Sequence, residues 1–400
     1  MFKSKCLSYI ACIACLSFQS FAQEYNAEII ANLNKVIQPI QSLSGDTTFT
    51  DISFLKEKLK NKEIIALGEV THGSAEVFNY KDRLVRFLVS HMGYKAIAFE
   101  SDYFAMAYMD DYICGKADSI TYVAGTAIMR SNPSMIEWLR QYNTGKPEGH
   151  KVHIYGLESR NYTNIFKQLL AQIPMLDKTD RGLMEAYLSK PFGSPLSKQD
   201  KKDFRSMIVK SELKPLSDIN KHYLNMLSQL LSYEDGRSVR DKYMAVNAMW
   251  LKERTKGEKL IVWAHNGHVA KMELYGYPTL GTHLDKKYGS KYTVIGTDFN
   301  SGKAWVNVFV AKNKPLEGFQ SFYFPPVRSA DWYEYFFAQC RFKNFILDTE
   351  ETGKEKLLNQ FLIRPRNMRS IGALSSPEGK KLSIARNFDF IVYLDETTSI

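Results

Sequence analysis

The 400-residue chain is poor in cysteine and lacks the signature patterns of several large enzyme classes. Of its five cysteines, only Cys114 and Cys340 lie beyond the first 15 residues. Two distant cysteines give no disulfide framework, although they are able to pair in an oxidising compartment. No G-x-S-x-G elbow, H-E-x-x-H helix, Walker A loop or G-x-G-x-x-G turn occurs. These absences argue against an ordinary serine hydrolase, a helical zinc protease and a nucleotide-binding enzyme.

Long apolar runs are also missing after residue 22, so the sequence predicts no stable membrane insertion. Residues 1–22 themselves begin with Lys3 and Lys5, continue with CLSYIACIACLSF and end in SFA. This is the pattern of a secretory signal cleaved after Ala22. We therefore expect an exported protein, periplasmic or extracellular, which loses three of its cysteines with the signal.

The basic residues are scattered along the chain. The formal net charge is +10, yet no run of Lys and Arg exceeds two residues and no nucleic-acid-binding motif is present. We therefore predict no nucleic-acid partner. Apolar residues make up 44% of the chain, which is enough to bury a full core.

Short apolar segments recur along the chain and alternate with helical patterns. Segments that are apolar on both faces suit the inner strands of a parallel sheet. We predict an α/β fold with a largely parallel central sheet flanked by helices. The predicted strand segments are 63–69, 95–101, 151–159, 259–265, 292–298, 304–311, 344–349 and 389–395.

Residues 161–258 differ, because they show long helical patterns and no good strand. We predict an all-helical lobe here, inserted between two parts of an α/β catalytic core, residues 23–160 and 259–400. The last helix of the lobe is predicted to bury an apolar stripe. That stripe has four members: Tyr243, Val246, Met249 and Trp250.

Polar residues follow four of the predicted strands. In parallel α/β sheets, ligands bind at the carboxyl ends of the strands. If these strands are parallel neighbours, their acids and histidines converge on one edge of the sheet. The residues concerned are Glu69, His72, Glu100, Glu158, His265 and His268.

Such a set suits the activation of water. A histidine near its ordinary pKa removes a proton, and a nearby carboxylate fixes its tautomer. Gly73 is predicted to let the backbone approach a ligand, and the helix that starts at Ser74 to present N–H groups to an oxyanion. Lys81 falls on the apolar stripe of that helix, either extending towards solvent or directed into the site.

The motifs LGEVTHGSAEVF, FLVSHMGYKAIAFESDY, IYGLESR, RDKYMAVNAMWL, VWAHNGHVAK, RSIGA and FDFIVYLDETT occur in this order and cover most of the chain after residue 22. In that order they resemble the motifs of the erythromycin esterase family. The resemblance implies an α/β core with a helical lobe. It also implies hydrolysis of an ester, in the type members the macrolactone ring of macrolide antibiotics, by water and without a covalent intermediate.

The resemblance also implies roles for individual residues. His72 is expected to act as the general base on water, and Glu69 and Glu100 to orient the base or the water. His265 and His268 are expected to bind and polarise the substrate carbonyl. The implied substrate-binding residues are Glu76, Lys81 and Glu158.

Two alternatives share this scaffold. One is a metal-dependent hydrolase, in which His72, His265, His268 and a carboxylate bind zinc or manganese. The other is a protein that binds haem or another hydrophobic ligand without catalysis. The leading prediction needs no cofactor but leaves a divalent metal open. Its partner is a small-molecule ester or macrolide, and the sequence does not indicate the oligomeric state.

Overall fold

The computed structural model describes residues 23–120, 131–172, 176–233, 237–255 and 257–400. The predicted signal segment and its cleavage site therefore lie outside the described residues.

The chain forms two compact units, each assembled from separated segments. The first unit contains the residues up to Leu55, Glu69–Tyr80 and Val294–Ile400, and the second contains Lys56–Gly68 and Lys81–Thr293. These bounds differ from the predicted domain bounds, because the predicted helical lobe belongs to the same unit as four of the strands.

The fold is mixed α/β, with a mostly parallel sheet flanked by helices, which confirms the predicted class. The strands are β1 (Gln38–Pro39), β2 (Ile64–Glu69), β3 (Ala96–Asp102), β4 (His153–Glu158), β5 (Leu260–His265), β6 (Tyr292–Asn307), β7 (Phe319–Phe324), β8 (Phe345–Asp348), β9 (Arg366–Arg369), β10 (Gly379–Leu382) and β11 (Phe390–Thr397).

The α-helices in the described part of the chain are α1 (23–36), α2 (Leu55–Leu59), α3 (Ala75–Met92), α4 (Tyr103–Ile113), α5 (Pro133–Asn143), α6 (Tyr162–Gln172), α7 (Lys178–Leu188), α8 (Lys198–Glu212), α9 (Asp218–Ser232), α10 (Arg237–Arg254), α11 (Asn266–Val269), α12 (Leu280–Tyr288), α13 (Tyr333–Phe337), α14 (Thr349–Thr352), α15 (Lys356–Ile363) and α16 (Ile384–Asn387).

In the second unit the strand order is β2-β5-β3-β4, and β3 runs parallel to both β4 and β5. Every residue of β2 and β5 is buried, as expected for parallel strands covered on both faces. Helices α6 to α10 occupy most of residues 161–258, and the described residues of that range contain no strand.

In the first unit, β11 runs parallel to β6 and antiparallel to β8, and β7 runs antiparallel to β6. The prediction of separate strands over 292–298 and 304–311 was wrong, because β6 is continuous from Tyr292 to Asn307. The polar residues between the two apolar runs stay extended since β6 pairs with β11 as far as Gly302 and with β7 from Gly302 onward.

Helix α10 buries a different face from the one predicted. Val246 is exposed, whereas Asp241, Asn247 and Leu251 are buried. Asn247 is satisfied there, because its amide nitrogen donates to the Leu157 carbonyl at 2.8 Å. The predicted stripe was wrong because the buried face runs through Met244, Ala248 and Leu251, together with these polar side chains.

Two further features bear on the sequence predictions. Cys114 and Cys340 are both buried and both free thiols. In the described part of the chain, no helix combines the length and apolar character needed to cross a bilayer.

Gly156 of β4 permits a close backbone contact within the second unit. A Cβ atom at this position would lie 2.4 Å from the Asp102 carbonyl carbon and 2.4 Å from the Tyr103 nitrogen. Because both atoms are backbone, we expect Gly156→Ala to lower the free energy of unfolding by about 3 kcal/mol. Urea denaturation followed by circular dichroism measures the loss.

Gly182 in α7 provides the matched control, since a Cβ there meets no atom within 4 Å. Gly182→Ala is expected to stabilise by about 0.5–1 kcal/mol, because alanine costs less backbone entropy in a helix. Equal unfolding midpoints for the two variants would contradict the role assigned to Gly156.

Candidate functional site

An acid and a histidine meet in the first unit, just beyond β2. The Nδ1 atom of His72 lies 3.1 Å from Oε1 of Glu69. Glu69 has no exposed side-chain surface, whereas the His72 side chain is 37% exposed. A buried carboxylate at Nδ1 holds the proton on that nitrogen and leaves Nε2 as the basic atom of the ring. The predicted pairing of these two residues is thus present as a hydrogen-bonded contact.

The turn that carries His72 is fixed by backbone contacts within the first unit. The His72 N–H donates to the Gly372 carbonyl at 3.1 Å, and the Thr71 hydroxyl donates to the same oxygen at 2.8 Å. A Cβ on Gly73 would lie 2.1 Å from the Trp305 carbonyl oxygen. The structure therefore explains Gly73 by its packing against the Trp305 backbone, instead of the predicted approach to a ligand.

The start of α3 is engaged by protein atoms. The Ala75 N–H donates to the Thr398 carbonyl at 2.9 Å, and the Val77 N–H donates to the Ser74 hydroxyl oxygen at 3.1 Å. The prediction that this helix start presents its N–H groups to an oxyanion is wrong for these two donors, because a cap and the C-terminal segment already use them.

Glu76 is tied to the C-terminal segment of the first unit. Its carboxylate accepts hydrogen bonds from the Thr397 hydroxyl at 2.9 Å, the Thr398 N–H at 2.6 Å and the Thr398 hydroxyl at 2.8 Å. These contacts give Glu76 a structural function as a clamp. Its predicted part in substrate binding stays a prediction.

In the second unit, Arg240 of α10 joins an acid in β3 to the acid that ends β4. Its Nε donates to Glu158 Oε2 at 2.6 Å, and its Nη2 donates to Glu158 Oε1 and Glu100 Oε1, both at 2.8 Å. The side chains of Glu158 and Glu100 are only 1% and 6% exposed. We call Arg240, Glu100 and Glu158 the arginine network.

A second guanidinium reinforces this network. The Arg160 Nε donates to Glu158 Oε1 at 2.6 Å. Burial opposes ionisation of Glu158, but the charges of Arg160 and Arg240 outweigh it and lower the pKa of that carboxyl. Burial likewise opposes the charge of Arg240, but Glu100 and Glu158 raise its pKa. Glu158 and Arg240 are therefore both charged at neutral pH.

His268 is bound on both ring nitrogens in the second unit. Its Nδ1 lies 2.7 Å from Asp241 Oδ1, and its Nε2 lies 3.2 Å from Arg240 Nη1 and 3.5 Å from Glu100 Oε1. Burial lowers the pKa of His268, but Glu100 and Asp241 outweigh it and raise the pKa. His268 is thus held in place by α10 through both ring nitrogens.

His265 ends β5 and caps α11. Its Nδ1 accepts a hydrogen bond from the Gly267 N–H at 3.1 Å, and the Tyr275 hydroxyl lies 3.2 Å from the same nitrogen. Its backbone N–H donates to Glu100 Oε2 at 2.9 Å. Because Nδ1 is an acceptor, neutral His265 carries its proton on Nε2, where it suits donation to an oxygen.

Lys81 is fully buried in the second unit. Its Nζ lies 4.0 Å from the centroid of the Trp263 ring, a cation–π contact. Of the two alternatives from the sequence, extension towards solvent is wrong, because the side chain has no exposed surface. Its predicted substrate-binding role stays a prediction.

The sequence interpretation missed Arg240, Asp241 and Arg160. The first two lie side by side in the motif RDKYMAVNAMWL, and their charges adjoin a buried face of α10. A charged pair next to an otherwise buried helix face was the available signal. An orientation of the helix that is based on the apolar stripe alone does not reveal this charged pair.

A family model and one relative both name the erythromycin esterase family. The erythromycin esterase family model matches residues 89–397. YbfO of Bacillus subtilis (strain 168), by name a candidate hydrolase, is 23% identical over 72% of this chain and 77% of its own. Erythromycin esterase type II of Escherichia coli is 22% identical over 66% of this chain and 75% of its own.

A solved structure shows a similar fold. A protein from Bacillus cereus superimposes with a TM-score of 0.75 at 23% identity, over 94% of this chain and 98% of its own. At this level of identity the likeness concerns the fold.

The arginine network yields a stability prediction. Arg240→Met leaves two nearly buried carboxylates without their shared cation, so we expect a loss of about 3–5 kcal/mol in unfolding free energy at pH 7. Glu158 has a lowered pKa in the folded protein, so its contribution is present above its unfolded pKa and is lost as pH falls through the folded value. The deficit should therefore shrink in acid. Urea titrations between pH 3 and pH 7 measure it.

The control for this prediction is Lys242→Met, which removes an exposed charge two positions along the same helix. We expect its unfolding free energy to stay within about 0.5 kcal/mol of the wild type. A deficit in Arg240→Met that does not change with pH would contradict the electrostatic explanation.

Proposed function

Because the chain belongs to the erythromycin esterase family, we propose that it hydrolyses a carboxylic ester or a macrolactone with water activated by His72. Membership of the family supports a hydrolase with a small-molecule substrate. The type of bond that is cleaved and the role of each residue belong to the proposal. Macrolide lactones are the first substrates to test.

The observation that carries the proposal is the contact between Glu69 and His72. A buried acid fixes Nδ1, and the partly exposed ring has Nε2 as its basic atom. In the proposed step, Nε2 takes a proton from water while the water oxygen bonds to the carbonyl carbon. The bond from that carbon to the alkoxy oxygen then breaks, and the leaving oxygen takes the proton from His72. Glu69 stabilises the imidazolium between the two steps.

Within the second unit, His265 and the arginine network present a hydrogen-bond donor and fixed charge. His265 carries its proton on Nε2 when neutral, which suits it to bind a carbonyl oxygen. His268 and the arginine network hold the surrounding side chains in one arrangement. Glu100 acts here through contacts with Arg240 Nη2 and the His265 N–H, as a positioning residue.

The donor geometry does not favour His268 as a metal ligand. Its Nε2 lies 3.2 Å from the Arg240 guanidinium, and its Nδ1 faces Asp241. A divalent cation on Nε2 would sit against a second positive charge. His268 therefore suits a positioning role better than metal binding.

We also propose that the protein is exported and loses residues 1–22. The expected result is a mature chain that begins at Gln23, because the small residues before it suit signal peptidase. Expression of the full gene in a bacterium, followed by fractionation and intact mass measurement, checks this. A cytoplasmic protein that retains Met1 or the following lysines would contradict it.

The mechanism is tested by removing the proposed base and its partner. We expect His72→Ala to abolish turnover, and Glu69→Gln to reduce kcat by about 10²–10⁴-fold because the wrong tautomer is then allowed. Incubation with erythromycin and with a panel of simple lactones and esters, followed by mass spectrometry for the gain of one water, measures both.

His91→Ala serves as the matched control, since it removes an exposed histidine from α3. Its kcat should equal that of the wild type. Full activity in His72→Ala would refute the proposed base, and a wild-type protein that turns over no member of the panel would refute the esterase proposal itself.

A further inference from the structure

An aspartate, a cysteine and a histidine meet at one end of β4 in the second unit. Asp110 lies in the last turn of α4, and Cys114 follows one turn later as the C-cap of this helix. His153 is the first residue of β4, whereas Glu158 of the arginine network is the last. A strand rises roughly 3.3 Å per residue, so about 17 Å of strand separates the two residues.

The three donor atoms form a compact triangle. His153 Nδ1 lies 3.5 Å from Cys114 Sγ and 3.2 Å from Asp110 Oδ1, and Sγ lies 3.8 Å from Oδ1. Zinc bonds of roughly 2.3 Å to sulfur and 2.0–2.1 Å to nitrogen and oxygen, arranged tetrahedrally, place such donors about 3.3–3.6 Å apart. The triangle therefore fits one face of a tetrahedral metal centre with little rearrangement.

The three donors also contact one another directly. The Cys114 thiol donates towards Asp110 Oδ1, and His153 Nδ1 lies 3.0 Å from Asp110 Oδ2. A metal ion would replace the protons of these contacts and bond to all three donors at once.

The surroundings hold the donors in place. The Ile154 N–H donates to Asp110 Oδ1 at 2.9 Å, and the Asn143 amide nitrogen lies 3.9 Å from Cys114 Sγ. Cys114 is only 4% exposed.

A carboxylate also lies near the far side of the His153 ring. Glu148 Oε1 is 3.8 Å from His153 Nε2, the ring nitrogen that does not face the triangle, which is beyond hydrogen-bond distance. Lys116 in turn contacts Glu148 at 3.1 Å.

We propose that Asp110, Cys114 and His153 bind a divalent transition-metal ion of borderline softness, with Zn²⁺ the best fit to one sulfur, one nitrogen and one oxygen donor. The ion links the end of α4 to the start of β4. A fourth position remains for water. This site is separate from the residues proposed for ester hydrolysis and does not depend on that proposal.

Cobalt titration tests the site on the full chain with Cys6, Cys12 and Cys15 replaced by serine, prepared without an affinity tag and treated with a chelator. Co²⁺ bound by a thiolate gives a charge-transfer absorption band in the near ultraviolet, and added Zn²⁺ should displace it. We expect one equivalent of Co²⁺ to produce this band. Cys114→Ser should abolish the band. His153→Gln removes a direct ligand and should weaken binding by more than the roughly 10–100-fold found for groups that only support the ligands.

Cys340→Ser is the matched control, because it removes the other described thiol, which is also buried. It should keep the full band. A circular dichroism spectrum and an unfolding midpoint of each variant confirm folding, and Cys114→Ser differs from the wild type by one atom. A wild-type protein without the band, or a band that persists in Cys114→Ser, would overturn the proposal.

Discussion

The second unit depends on the cation that Arg240 places between Glu100 and Glu158. Two nearly buried carboxylates at the ends of neighbouring strands repel each other by a few kcal/mol at an effective dielectric constant of about 20. The forked guanidinium donates to Glu158 through two nitrogens and to Glu100 through one of them, at 2.6–2.8 Å. The compact ammonium group of lysine does not reproduce this planar, two-nitrogen arrangement. Helix α10 must therefore lie where its first turns reach both acids, and this placement brings Asp241 against His268.

That requirement explains which face α10 buries. A helix whose inner surface carries Asp241 and Asn247 cannot be oriented by its apolar residues alone, because each buried polar group has a specific partner in another element. The apolar stripe through Val246 is genuine in the sequence, but the structure leaves Val246 exposed. The buried face instead combines a different apolar set, Met244, Ala248 and Leu251, with these two polar groups.

Much of the fold follows from apolar segments of strand length, and β2 to β5 lie within two residues of their predicted bounds. The contact between Glu69 and His72 follows from a spacing of three residues across a turn. The spacing of residues along the chain does not reveal which distant backbone groups contact a turn. Trp305 and Thr398, far along the chain, occupy the places predicted for a ligand near Gly73 and the start of α3. Partners this distant become visible only when the chain is folded.

The two ends of β4 carry different polar clusters, and chain topology explains the one at its amino end. An α/β connection runs a helix back along its strand, so α4 starts beside the carboxyl end of β3 and finishes beside the amino end of β4. Residues at the end of α4 thereby meet residues at the start of β4, as Cys114 meets His153 across 39 positions. No local sequence pattern predicts this contact, since Asp110, Cys114 and His153 belong to no compact motif. Ligands in α/β proteins usually bind at the carboxyl ends of strands. The helix that returns along the sheet nevertheless brings a carboxylate, a thiol and an imidazole together at the opposite edge.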